Sequence, residues 1–118
     1  MNPDTIGGYV GEVKSLIVSI DGYTETEMPI AATPLARLRG WRGPRVDGAL
    51  AVRTCSIHTF GLAEAINVLA IDSEGVVVAA ERVVPRRIRI YPRATMILEL
   101  SERHPLPAVG TVVVTRHG

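Results

Sequence analysis

Short runs of aliphatic, mostly β-branched residues recur along the whole chain, and turn-forming residues separate them. Val and Ile fit a pleated strand better than a helix, because branching at Cβ restricts their rotamers. Aromatic residues make up only 4% of the chain, so aliphatic side chains must build most of its core. Many short strands at this spacing are typical of a small barrel or a folded-over sheet. We therefore predict a mostly β (α+β) fold, in which a compact, barrel-like sheet carries one short helix.

The strand boundaries follow from the turns between these runs. Asp21-Gly22 separates the first two runs and is a strong hairpin signal. Asp72 to Gly75 forms another turn, in which Asp72 is expected to hydrogen-bond its own backbone. Strands are predicted over residues 12–20, 23–30, 49–55, 65–71, 76–84, 94–100 and 111–115, and extended segments over 57–61 and 86–91.

One helix is predicted between Thr33 and Gly40. Thr33 is a favourable N-cap, Pro34 suits the first helical position, and Gly40 can adopt the left-handed conformation that ends many helices. The residues between these signals allow about two turns. Leu35 and Leu38 share a face that would pack on the sheet.

The length of 118 residues predicts a single domain over 1–118, with the Gly-rich residues 1–11 loose at its start. Apolar residues make up 47% of the chain, which is enough for one core without metal or disulfide support. His104 and His117 stand apart from other metal-ligating residues, and no phosphate-binding loop is recognisable. The sequence therefore predicts no metal site and no cofactor.

Charge and cysteine content bound the partners and the compartment. The net charge is +1, so we expect no specific nucleic-acid binding. All but one of the 13 cationic residues are Arg, however, and Arg pairs well with carboxylate or phosphate. The partner classes left open are a protein and a small anionic ligand. Cys55 is the single cysteine, which fits a reducing cytoplasm. The first residues lack the pattern of a secretory signal, no apolar run is long enough to span a membrane, and we expect no membrane association.

The segment from His58 to Gly61 interrupts the aliphatic pattern, and nearby Asn67 places an amide between Ile and Val. A binding pocket lined by His58, Thr59 and Asn67 is one interpretation, and a structural polar crossing of the sheet is the other. Cys55 lies three positions before His58, but residues at i and i+3 of a strand point to opposite faces, so a catalytic pair would need a turn or bulge. Cys55 is therefore predicted to be an apolar filler and Phe60 a core anchor.

Two acidic residues near the end of a strand, Glu99 and Glu102, are predicted to be solvated. No paired-carboxylate signature and no nucleophile motif accompany them. Catalytic residues thus remain unassigned at this stage.

An ordered set of residues between 33 and 115 carries a family resemblance. These residues are Thr33-Pro34, Arg37, Arg39-Gly40, Gly43, the stretch Thr54 to Leu62 (TCSIHTFGL), Ile66-Asn67-Val68, Ile71-Asp72, Gly75-Val76-Val77, Pro85-Arg86 and Ala94 to Leu100. Their order and spacing resemble the family called domain of unknown function 192. That resemblance implies a β-rich domain with a small helix and implies no known reaction. The family usually has Asp where this chain has Asn67 and Pro where it has Ala65.

These observations lead to one main functional hypothesis and two alternatives. The main hypothesis is a small, non-enzymatic binding or accessory module. The first alternative is a small hydrolase-like enzyme that uses His58. The second is a protein-interaction module that adds a partner strand at an exposed sheet edge.

Overall fold

Nine β-strands run through the residues that the computed structural model describes, which are 13–21, 24–31 and 48–117. The strands are β1 (Val13–Ile20), β2 (Thr24–Ala31), β3 (Ala49–Val52), β4 (Ser56–His58), β5 (Ile66–Ile71), β6 (Val77–Val83), β7 (Ile88–Ile90), β8 (Met96–Leu100) and β9 (Val113–His117). Each segment predicted to be extended corresponds to one of these strands, so the mostly β prediction is confirmed.

Seven strands form one sheet in the order β6-β5-β8-β3-β2-β1-β9. Neighbouring strands are antiparallel except β2 and β3, which are parallel and pair Ile30 with Ala51 and Ala31 with Val52. The other two strands, β4 and β7, pair with each other and form a separate antiparallel ribbon.

The two edge strands of the large sheet meet at one corner. Val76, just before β6, bridges Val112, just before β9. The Val113 amide donates to the Gly75 carbonyl at 2.7 Å, and the Val77 amide donates to the Thr111 carbonyl at 2.9 Å. These contacts curl the sheet into a half-barrel, which agrees with the predicted barrel-like architecture.

The curled sheet buries aliphatic residues on both faces. On β8, Leu98 and Leu100 point into the curl, whereas Ile97 points outward, because successive side chains of a strand alternate. The inner cluster also contains residues of β1, β2, β3, β5, β6 and β9, namely Leu16, Val18, Met28, Ile30, Ala49, Ala51, Leu69, Ile71, Val77 and Val113. Ile66, Val68 and Ala70 form an outer cluster that the ribbon covers through Ile57.

Two predicted turns are confirmed. β1 and β2 pair along their whole length, and Asp21 between them has a φ of 58°, as a tight hairpin requires. At the other turn, the Oδ1 atom of Asp72 accepts hydrogen bonds from the amides of Glu74 and Val76, at 2.9 and 3.0 Å. The sequence therefore identified the local chemistry of both turns.

The predicted helix from Thr33 to Gly40 and the predicted loose residues 1–11 lie outside the described residues. Within the described ranges, no helix is long and apolar enough to cross a membrane.

The side-chain predictions for Phe60 and Cys55 are wrong. Phe60 is 53% exposed instead of anchoring the core, and Leu62 and Tyr91 pack against the outer cluster near the ribbon. Cys55 is exposed instead of filling an apolar site. β3 ends at Val52, so Cys55 belongs to the connection that leaves the sheet.

Candidate functional site

The β4–β7 ribbon carries two of the three residues predicted to form a site. In its register His58 lies opposite Ile88, Ile57 opposite Arg89, and Ser56 opposite Ile90. Ile57 is buried against the outer face of the large sheet, whereas His58 is exposed. The ribbon therefore turns one face to the sheet and the other to solvent.

Thr59 is fully buried and holds the end of this ribbon together. Its hydroxyl donates to the Val84 carbonyl at 2.7 Å and accepts from the Arg87 amide at 2.9 Å. Its own amide donates to the Arg87 carbonyl at 2.9 Å. These bonds satisfy the hydroxyl within the protein, as the structural interpretation of this segment expects.

His58 contacts the ring of Phe60 and makes no hydrogen bond with the thiol of Cys55. The two ring centroids are 6.0 Å apart and the planes are inclined by 47°. A nucleophile activated by a base needs the two groups within hydrogen-bond reach. The geometry consequently provides no Cys–His pair at this position.

Asn67 lies on the opposite face of β5 from the ribbon. Its neighbours Ile66 and Val68 belong to the outer cluster beneath Ile57, so alternation directs Asn67 into the curl. There its Nδ2 atom donates to the backbone carbonyl of His104 at 2.7 Å. The structure therefore does not bring Asn67 together with His58 and Thr59, and whether any of the three binds a ligand stays a prediction.

A cavity of about 260 Å³ opens on the inner face, beside the segment that Asn67 holds. Strands β1, β2 and β8 form one side, and residues 104–107 form the other. Its lining is mostly apolar and consists of Val18, Ile20, Thr26, Met28, Leu100, His104, Pro105, Leu106 and Pro107. Thr26 and His104 supply the polar side chains of this lining.

Several bonds hold the segment after β8 in place over the cavity. The Ser101 amide donates to the Gly48 carbonyl at 2.7 Å, and the His104 amide donates to the Ser101 carbonyl at 3.0 Å. Glu102 forms an ion pair with Arg82 of β6. Sequence reasoning missed this wall, although Leu106 between two prolines in a predicted loop is an apolar side chain that a solvated loop does not need.

The sequence predicts a solvated Glu99, but the structure shows it buried. It lies on the outer face of β8, directly between Leu50 of β3 and Val68 of β5, both of which are buried. Glu99 makes no hydrogen bond or ion pair with another described residue. Burial raises the pKa of its carboxyl from 4.5 to about 7. The prediction was wrong because β8 is a central strand, flanked on both sides.

Among the described residues, no group of three or more His, Cys, Asp or Glu side chains is placed to hold a metal ion. The exposed Glu102 is already engaged by Arg82. The cavity is thus defined by its apolar lining and two polar side chains, and it contains no cluster of charged groups.

The comparisons with known proteins bear on the fold. A crystal structure from Sinorhizobium meliloti 1021, described as a "putative transcription regulator", superposes with a TM-score of 0.63 at 16% sequence identity. The match covers 87% of this chain and 93% of the other. At this identity the likeness shows a shared fold and nothing about activity. No family model matches the chain. No curated protein matches it either. The resemblance to the domain of unknown function 192 family therefore stays a prediction.

Proposed function

We propose that this protein is a non-enzymatic binding module and that its ligand is a small, mostly apolar molecule held in the cavity between the curled sheet and residues 104–107. The observation that carries the proposal is the combination of volume and lining. Ligand sites are typically concave and apolar, with a few polar groups that orient the ligand. The cavity of about 260 Å³, with Thr26 and His104 among aliphatic side chains, has these properties.

The size of the cavity limits the ligand. An apolar cavity of about 150 Å³ in another protein is large enough to hold benzene. This cavity, at about 260 Å³, has room for a bicyclic ring or a medium-length alkyl chain. Burial of apolar surface supplies the main driving force at about 25 cal/mol per Å². A polar or anionic end of such a ligand would lie towards Thr26 or His104.

The hydrolase alternative has less support from the geometry. A general base needs to lie where a substrate is held and to reach a nucleophile. His58 is exposed on the ribbon, contacts Phe60, and does not line the cavity. A binding module requires none of these catalytic contacts.

Two probes and one pair of variants test the proposal. Indole and octanoate would be titrated into isotopically labelled protein, and saturable NMR shifts are expected at Ile20, Met28, Leu100 and Leu106. Leu106→Trp should fill the mouth of the cavity and weaken binding at least tenfold. Val109→Trp adds the same ring to an exposed position that does not line the cavity, and should leave binding unchanged.

Two results would overturn this function. One is the absence of saturable shifts with either probe at millimolar concentration. The other is a set of shifts centred on the β4–β7 ribbon, which would place the site on the other face of the sheet.

We also propose a cytoplasmic location. The free thiol of Cys55 is exposed, and reducing conditions keep such a thiol from oxidation and intermolecular pairing. Fractionation of the source cells with an antibody against the protein would test this location.

A further inference from the structure

The solvent side of the β4–β7 ribbon exposes large apolar side chains next to one another. Ile88 and Ile90 are 61% and 64% exposed, and the register places Ile88 opposite His58. The Phe60 ring, 53% exposed, contacts His58. We call the surface formed by His58, Phe60, Ile88 and Ile90 the ribbon face. Grouped exposed apolar side chains of this kind often mark an interaction site.

The ribbon face is held in a defined conformation. The hydroxyl of buried Thr59 hydrogen-bonds the Val84 carbonyl and the Arg87 amide, just before β7. On the opposite face of the ribbon, Ile57 packs into the outer cluster. A surface that is already ordered loses less conformational entropy when it binds. The anchored ribbon therefore presents Ile88 and Ile90 at a lower entropic cost of binding than a flexible loop would.

Exposed cationic residues flank β7 in the chain. Arg86 and Arg87 immediately precede β7 and Arg93 follows it, and all three are exposed without an ion pair to any described carboxylate. The carboxylate of Glu81 already accepts a hydrogen bond from Tyr91 and lies 3.5 Å from Arg89. The exposed acidic residue near Phe60 in the chain is Glu64, so exposed cations outnumber exposed anions in the segments that flank β4 and β7.

At one position on each strand, a backbone group at the free edge of the ribbon already bonds a side chain of the protein. The Ile88 carbonyl accepts a hydrogen bond from Arg89 Nη1 at 3.0 Å, and the Ser56 amide donates to Thr54 Oγ1 at 3.2 Å. A strand added by a partner would have to displace these bonds. These bonds favour a partner that contacts the side chains of the ribbon face over one that pairs with its backbone edges.

We propose that the ribbon face binds an acidic protein segment whose apolar side chains are flanked by carboxylates. Protein interfaces commonly have an apolar centre and a polar rim rich in Arg. Complementary charge then selects a partner with carboxylates around that centre. Single-stranded nucleic acid is a weaker fit, because stacking sites use several aromatic rings and the ribbon face has Phe60 with aliphatic neighbours.

The test uses a fluorescein-labelled synthetic peptide in which Leu alternates with Glu, and fluorescence anisotropy as the readout. The wild-type protein should bind it saturably, and a peptide with Lys in place of Glu should not bind. Ile88→Ser combined with Ile90→Ser should weaken binding at least tenfold. The matched control is Val112→Ser combined with Val114→Ser, which changes two exposed Val residues at the β9 edge and should leave binding unchanged.

The charge of the rim is tested separately. Arg93→Glu should weaken peptide binding, whereas Arg103→Glu, an equal change of charge at an exposed residue outside the ribbon, should not. Melting curves of all variants should stay close to wild type, since the changed side chains are exposed.

Two peptide results would overturn the inference: no binding of the Glu–Leu peptide, or equal binding of the Lys–Leu peptide. Binding of a short single-stranded DNA that depends on Ile88 and Ile90 would also overturn it. So would dimerisation, measured by sedimentation, that the Ile88→Ser, Ile90→Ser variant abolishes. None of these outcomes bears on the cavity, because its residues lie on the other face of the sheet. Titration with octanoate or indole therefore tests the proposed function separately from the ribbon-face inference.

Discussion

Asn67 on β5 donates a hydrogen bond from Nδ2 to the backbone carbonyl of His104, at 2.7 Å, and so links the centre of the sheet to a segment 37 residues further along the chain. His104 and the three residues after it form one wall of the cavity. Asn67 therefore acts on the proposed ligand site indirectly, by positioning this wall. The amide N–H is the essential group, because a carbonyl can only accept.

Replacing Asn67 tests that role. Asn67→Ala leaves the His104 carbonyl without its donor and should lower the free energy of unfolding by about 1–3 kcal/mol. Asn67→Asp should cost more at pH 7, because an ionised carboxylate cannot donate and its charge is buried beside a carbonyl oxygen. Acidification to pH 4 should recover part of that loss, since a protonated carboxyl can donate. Urea unfolding at both pH values measures the difference, with Ser73→Ala in an exposed turn as the control. Equal stability of the Ala and Asp variants at pH 7 would contradict this role for the amide.

Glu99 makes stability depend on pH. Its pKa is about 7 in the folded protein and 4.5 in the unfolded chain, so the unfolded chain releases this proton first as pH rises. The contribution of Glu99 is therefore most favourable below pH 4.5, declines between pH 4.5 and 7, and is lowest above pH 7. The shift corresponds to at most about 3 kcal/mol.

Glu99→Gln removes the titrating group while keeping its shape. The variant should be more stable than wild type at pH 8, and the gain should shrink towards pH 4.5. Chemical unfolding across this range gives the curve, and Glu74→Gln in an exposed turn is the matched control. A constant difference between Glu99→Gln and wild type across the range would show that the carboxyl does not titrate there.

The Thr59 hydroxyl should matter more than its methyl group. Thr59→Val preserves the shape but leaves the Val84 carbonyl and the Arg87 amide without a partner, so we expect a loss of about 2 kcal/mol or more. Thr59→Ser keeps the hydroxyl, loses one methyl group and should cost about 1 kcal/mol. Unfolding curves rank the two variants, and faster hydrogen exchange of the Arg87 amide in the Val variant alone would locate the effect. If the Ser variant were the less stable of the two, packing and not hydrogen bonding would explain the burial of Thr59.

The corner where the sheet edges meet depends on Gly75. A Cβ there would lie 2.7 Å from the Val113 carbonyl oxygen, and the φ of 84° is unfavourable for any other residue. Gly110 is the matched control, because its φ is 97° and a Cβ would meet nothing within 4 Å. Gly110→Ala should cost about 1–2 kcal/mol from φ alone. Gly75→Ala should cost clearly more, and similar thermal shifts for the two would show that the corner can relax.

Strands and turns could be predicted because their causes are local. In β5, the branched aliphatic side chains themselves favour an extended backbone. In the turn from Asp72 to Gly75, the Asp72 carboxylate accepts hydrogen bonds from two nearby amides. The segment from His58 to Gly61 interrupts the aliphatic pattern of the sequence. In the structure it ends strand β4, and Thr59 within it bonds the Val84 carbonyl. The pairing of β1 with β2 followed from the short turn between them.

What the tertiary structure decided is which face of each strand is covered. Phe60 and Glu99 reverse the ordinary expectation for their side chains, because Phe60 lies on the solvent side of a ribbon and Glu99 lies between two central strands. Asn67 and His58 are near in sequence and yet face opposite sides of the sheet. The cavity joins β1 and β2 to residues 104–107, which are distant in the chain. Local preferences act over a few residues, whereas strand order and burial arise from contacts between distant segments. Sequence alone therefore determined the strands and turns. Only the fold decided where a ligand or partner could bind.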